Sequence, residues 1–182
     1  MKILIFATTF LIVAAINLTG CSTAPKTSSD RAELHSRVLT TIETFKREDP
    51  GLIELFNSAH GYAVFPSIGK GGFIVGGAYG KGEVFEGGRK IGYCDVSMGS
   101  IGAQIGGQTY SEVIFFQNEP TLLSFKNGEF AFSAQATAVI AKAGAAANTD
   151  YEYGVLVFKM PKAGAMAEAS VAGQQFSYLP EQ

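Results

Sequence analysis

Residues 61–80 read GYAVFPSIGKGGFIVGGAYG, and the chain continues in the same style to Gly107. Most of the 22 glycines fall in this block, where they alternate with Phe, Ile, Val and Tyr and not with Ser or Gln. Glycine among β-formers marks bends and close backbone approaches in a sheet, so the block predicts a folded, strongly curved sheet and not a low-complexity tract. Short runs rich in β-branched and aromatic residues, each bounded by Gly, Pro or Asn, predict antiparallel strands over 62–65, 73–79, 83–85, 90–96, 100–105 and 112–116. Gly87-Gly88 supplies the positive φ that a tight hairpin turn requires.

Before the block the period is helical. Leu34, Val38, Ile42 and Phe45 recur on one face of Asp30–Arg47, with Ser29 or Asp30 available as N-cap and Glu33 as the capping-box partner. Glu33 and Glu43 mix with Arg37 and Lys46 on the polar face, which is the pattern of a core-packed helix and not of a basic membrane-surface one. Asp49-Pro50-Gly51 ends it, and a shorter helix is expected over 52–58. After the block, Pro120–Lys126 predicts a helix stopped by Asn127-Gly128, and further strands are expected over 129–137, 153–158 and 165–171. The alanine-rich segment 138–147 fits either a helix or a small-residue strand. The expected fold class is therefore α+β: a curved antiparallel β-sheet, barrel- or sandwich-like, with N-terminal helices and one short internal helix.

At the start of the chain Lys2 precedes a nearly unbroken apolar run, Ile3 to Ile16. The run is shorter than the ~20 residues a spanning helix needs and ends in small residues, so 1–20 reads as a secretory signal peptide. Leu18-Thr19-Gly20-Cys21 resembles the bacterial lipobox, which implies cleavage before Cys21 and a diacylglycerol, with further acylation, on that cysteine. Ser22–Ser29 (STAPKTSS) is too poor in apolar groups to pack and is expected to be a flexible tether, residues 21–29, ahead of a domain over 30–182. Ser22 after the lipobox cysteine resembles the outer-membrane sorting signal.

From Cys21 on, 13 basic residues face 16 acidic ones, a formal charge of −3, which lacks the basic excess of a nucleic-acid binder. Cys94 is then the remaining cysteine, in the apolar stretch 91–96, and reads as a buried small hydrophobe. No catalytic set, metal site or cofactor is predicted. His35 and His60 are the two histidines, and no H-E-x-x-H or C-x-x-C spacing occurs. Met98 occupies the position where a nucleophile elbow around Ser100 needs glycine. Gly69-Lys70-Gly71-Gly72 lacks the Ser or Thr and the spacing of a phosphate loop.

Two blocks carry a family resemblance. Gly61-Tyr62-Ala63-Val64-Phe65-Pro66, Gly69-Lys70-Gly71-Gly72-Phe73, Gly76-Gly77 and Tyr79-Gly80 come first; Gly92-Tyr93, Gly102-Ala103-Gln104, Gly106, Gln108-Thr109-Tyr110 and Glu112-Val113 follow, and Gly164–Gly173 closes the series. In this order they resemble the SYLF domain family of bacterial lipoproteins and eukaryotic lipid-binding proteins, over essentially 30–179. The resemblance implies a non-catalytic domain on a curved antiparallel sheet whose partners are membrane lipids, anionic or phosphoinositide-like. Eukaryotic members reach anionic lipid through a basic region near the start of the domain; here that region is charge-balanced, so no headgroup is implied.

Lys70, Lys81, Arg89 and Lys90 fall at or beside the predicted turns and are the candidate headgroup-binding residues. Two readings lead, a lipoprotein anchored to the outer membrane whose domain binds lipid, or a structural or protein-interaction lipoprotein of the envelope; an enzyme with an unrecognised site stands well behind them.

Overall fold

The computed structural model describes residues 24–72, 75–101, 108–130, 138–163 and 173–181. The elements are α1 (Ser28–Glu48), α2 (Leu52–Ser58), β1 (Gly61–Gly72), β2 (Val75–Glu86), β3 (Arg89–Ile101), β4 (Gln108–Phe116), α3 (Glu119–Lys126), β5 (Val139–Ile140), a 3₁₀ turn (Ala146–Asn148), β6 (Val155–Ala163) and β7 (Gln175–Pro180). Among the described residues the strands form one seven-stranded sheet in the order β5-β6-β4-β1-β2-β3-β7, antiparallel except for the parallel β5–β6 pair. The fold is α+β on a curved sheet, as expected. Among the described residues the sheet is open, with β5 and β7 at its edges.

The strands are longer than their apolar runs. Gly80 and Gly82 do not make a turn between two strands; β2 runs through both, because they face the crowded side of β1. β1 likewise continues past Pro66 through a bulge. Val64 pairs with Glu83 and Ser67 with Lys81 on one side, and Phe65 pairs with Glu112 and Ile68 with Tyr110 on the other, so Phe65–Ser67 carry an extra residue relative to both neighbours. Proline has no N–H to give a ladder, and a bulge is where a central strand tolerates it. Ser111 Oγ donates to the displaced Pro66 carbonyl at 2.8 Å. Opposite, a Cβ on Gly82 would lie 2.3 Å from the Val64 carbonyl oxygen, a distance only glycine avoids.

Bulges bend strands, and the bend shows in the packing. Phe65 of β1 and Phe176 of β7 have ring centroids 6.0 Å apart although β2 and β3 lie between their strands. Three strand spacings in a flat sheet come to ~14 Å. The concave face closes on Phe65, Phe116, Phe125 and Phe176 with α3 laid across it. The convex face packs on α1 and α2 through Leu34, Val38, Ile42, Phe45, Leu52 and Phe56 against Tyr62, Phe85, Phe115 and Phe158. Both faces are covered, which is why Tyr62–Phe65 is continuously apolar and does not alternate.

Helix α1 starts earlier than its periodicity indicates. Thr27 is the N-cap, and Asp30 completes a capping box with it. Ala24 is buried, and the Pro25 carbonyl accepts from Arg31 Nε at 3.3 Å. The stretch expected to be tether is therefore built into the fold from Ala24 onward. Strand β7 was not expected, and β6 lies two residues later than its predicted start. The strand expected over 165–171 lies outside the described residues, as does most of that expected over 129–137, whose first two residues form no strand.

Candidate functional site

The four expected headgroup cations do not form one cluster. Lys70, of which only the backbone is described, pairs with Ala78 near one end of β1 and β2, and Lys90 pairs with Phe85 near the other end of β2. Those partners are seven residues apart on β2, about 23 Å. Arg89 is exposed beside the Gly87-Gly88 turn, whereas Lys81 sits mid-strand between Ser67 and Asp95. Lys81 was expected beside a turn, but β2 runs as continuous strand through Gly80–Gly82.

Lys90 is also committed to the fold. Its ammonium lies 2.7 Å from Glu181, 3.4 Å from buried Glu83 and 4.7 Å from the centre of the Tyr93 ring. Burial works against its charge, but the hydrogen bonds to Glu181 and Tyr93 and the Glu83 carboxylate outweigh that and push its pKa up. Cys21 lies outside the described residues.

A different set of cations meets at the other end of the sheet. An open cleft of about 580 Å³ between the first turns of α1 and the β1–β2 ladder is lined by Lys26, Arg37 and Lys81, with Asp30, Glu33, Leu34, Gly69 and Tyr79 among the other walls. Lys81 Nζ donates to the Ala24 carbonyl at 3.4 Å. Lys162, the residue after the β6–β4 pairing at Pro161–Tyr110, is exposed at the same end. Partial burial and then the positive charge of Arg37 hold its ammonium below the ordinary lysine range. Sequence reading assigned Lys26 to the tether and Arg37 to a solvated helix face and gave Lys162 no role; the placement of the start of α1 against the β1–β2 ladder brings Lys26 and Arg37 to the cleft that Lys81 lines.

The remaining polar groups are internal. Glu112 and Lys159 are buried on the concave side with Nζ and Oε2 3.5 Å apart, and Gln174 Nε2 donates to the same oxygen at 3.0 Å. Burial raises the Glu112 pKa against the opposing pull of Lys159 and Gln174. His35 lies 2.8 Å from Glu83 and His60 3.0 Å from Glu86. Among the described residues no group of three or more His, Cys, Asp and Glu is placed to hold a metal ion. Cys94 is buried and unbridged, and burial pushes its thiol pKa well up, away from reactivity.

Residues 97–178, from late β3 into β7, match the family model described as Ysc84, Las17-binding protein actin regulator. The chain is also 26% identical over 156 residues to beta cell expansion factor A of Aeromonas veronii, an alignment covering 84% of this chain and 59% of that protein. Both matches fit the SYLF family. The chain thus spans little more than half the length of this relative. The SYLF match runs through β4 and β6, the strands that carry the Glu112–Lys159 pair and lead to Lys162.

Proposed function

We propose that this SYLF chain is a non-catalytic lipoprotein of the bacterial outer membrane, acylated at Cys21, whose domain makes a second, weak contact with lipid headgroups. The single observation that carries the reading is where the chain enters the fold. Ala24 is buried and bonded to Lys81, and only Ser22 and Thr23 separate it from Cys21, a reach of at most ~11 Å. An acyl chain there holds the cleft end of the domain at the bilayer. Two acyl chains hold a protein on a membrane stably, and tethering makes a weak further contact sufficient. No helix among the described residues is long and apolar enough to cross a membrane.

A second reading, a protein-interaction lipoprotein of the envelope, is favoured by the family description, which names a protein partner, Las17. Mass spectrometry of the mature N-terminal peptide together with vesicle flotation decides between them. The first reading expects acyl mass on Cys21, release of the protein by Cys21→Ser, and domain contact that differs between anionic and neutral vesicles. An unmodified Cys21 removes the anchor, and indifference to every bilayer composition leaves the second reading.

A further inference from the structure

We propose that the Tyr110 hydroxyl, Glu112 Oε1 and Gln174 Oε1 together bind an internal water molecule that joins β4 to the entry of β7 across the concave face of the sheet. The site lies beyond the function proposed above and is independent of how the chain is anchored.

The starting point is a shortage of partners. Tyr110 Oη, Glu112 Oε1 and Gln174 Oε1 are buried side-chain atoms with no hydrogen-bond partner among the described residues. Their residues are 2%, 0% and 2% exposed, so bulk solvent does not reach them. Polar atoms in a protein interior are almost always paired, and three orphans in one place require a common partner.

Register brings the three together. Tyr110 and Glu112 are alternate residues of β4 and point to the same side of the sheet. The Lys159 ammonium, opposite Glu112 in the β4–β6 ladder, touches both: it lies 4.7 Å from the centre of the Tyr110 ring and 3.5 Å from Glu112 Oε2. Gln174 Nε2 donates to that same oxygen at 3.0 Å. The amide cannot be turned over, because its oxygen would then face the carboxylate, so Gln174 Oε1 is left free a few ångströms away. The Tyr110 hydroxyl is close to both neighbours as well. Burial raises its pKa and the Glu112 carboxylate adds to the rise, while the Gln174 amide draws it back, yet neither is aligned to complete a hydrogen bond with it.

The chemistry of the three atoms selects the occupant. A protonated tyrosine hydroxyl supplies one donor, whereas the carboxylate and amide oxygens are acceptors. One water accepts from Tyr110 and donates to Glu112 Oε1 and Gln174 Oε1, and about three hydrogen bonds is the usual complement of a buried water. An alkali cation offers no lone pair to the Tyr110 proton, and the Lys159 ammonium already balances the Glu112 charge.

Such a water acts on the curvature of the sheet. β1, β2 and β3 lie between β4 and β7, a separation of ~19 Å in a flat sheet. Gln174, the residue before β7, meets Glu112 because the sheet curls, as Phe176 meets Phe65. β7 is an edge strand whose ladder is with β3 alone. The water doubles the Gln174–Glu112 contact and fixes the start of that strand over the concave face.

The test uses the full mature chain, crystallised in detergent from rubidium chloride, with diffraction that shows ordered solvent and data collected at the rubidium edge. One peak of water height is expected within about 2.6–3.2 Å of all three oxygens, without anomalous signal. Tyr110→Phe keeps the packed ring and removes the hydroxyl, and the peak should weaken or vanish while Gln174 stays bonded to Glu112. In micelles, the Gln174 side-chain amide protons of the parent chain should show cross-relaxation with water of the sign given by a molecule bound for longer than the protein takes to tumble. An anomalous peak at the site assigns a cation and overturns the water. No peak, with the three oxygens bonded to one another or to other side chains, overturns the site, as does an unchanged peak in Tyr110→Phe or the absence of cross-relaxation in the parent.

Discussion

Glu112 and Lys159 are buried side by side between β4 and β6, with Gln174 donating to the carboxylate and the Lys159 ammonium over the Tyr110 ring. Desolvating two charges costs about as much as their attraction returns, so such a pair holds its geometry without adding much net stability. Removing one member is another matter, since it strands the opposite charge in the core. Glu112→Leu is therefore expected to destabilise the domain by about 3 kcal/mol. The double variant Glu112→Leu/Lys159→Met should recover most of that loss, as read by denaturant unfolding. If the double variant is as unstable as the sum of the singles, the two residues act independently and the pair is not the reason they are buried. This pair is not legible in the sequence, because a carboxylate in an apolar strand and a lysine 47 positions later look solvated until β4 and β6 are in register, Glu112 opposite Lys159.

The elements depend on the bulge at Phe65–Ser67, which bends the central strand and fixes where glycine is obligatory. Gly82 faces the Val64 carbonyl across it, and Gly92 meets the Leu179 carbonyl and the Tyr178 ring; at Gly69, by contrast, an added Cβ meets nothing within 4 Å. Gly82→Ala should cost about 2 kcal/mol through this clash, and Gly69→Ala should stay within about 0.5 kcal/mol of the parent. Equal effects in thermal melts would mean that the glycine pattern reflects something other than close approach. That glycines relieve crowding where the sheet curls is legible in the sequence, although Gly106 lies outside the described residues and only the backbone of Gly76 is described. What stayed hidden was which glycines lie within strands. Gly80 and Gly82 look like turn residues because turns and bulge-facing positions favour the same amino acid, and that one misreading split β2 and drew Lys81 to a loop it does not occupy. The helices were easier, since Leu34, Val38, Ile42 and Phe45 are all buried at the spacing that predicts them; the start of α1 was missed because Thr27 caps it from within a polar stretch that reads as tether. β7 was missed because Gln175–Pro180 has one buried side chain, Phe176, and little alternation.

At the scale of the whole molecule the sheet has two distinct ends. One carries the Gly87-Gly88 turn, Arg89 and the Lys90–Glu181 pair; the other carries the cleft, Lys162 and the segment that leads to Cys21. The proposed anchoring through Cys21 would set an orientation, with the cleft end at the bilayer and the Arg89 end away from it. Gly69 and Arg89 mark the two ends: Gly69 pairs with Tyr79 and Arg89 with Glu86, about 23 Å apart along β2. Cys94 is buried and leaves introduced thiols as the reactive ones. The most direct measurement places a fluorophore at Gly69→Cys or at Arg89→Cys in the full acylated chain on vesicles that carry a nitroxide quencher on the lipid headgroup. The account predicts strong quenching at position 69 and little at position 89; equal quenching at both, or stronger quenching at 89, would contradict it.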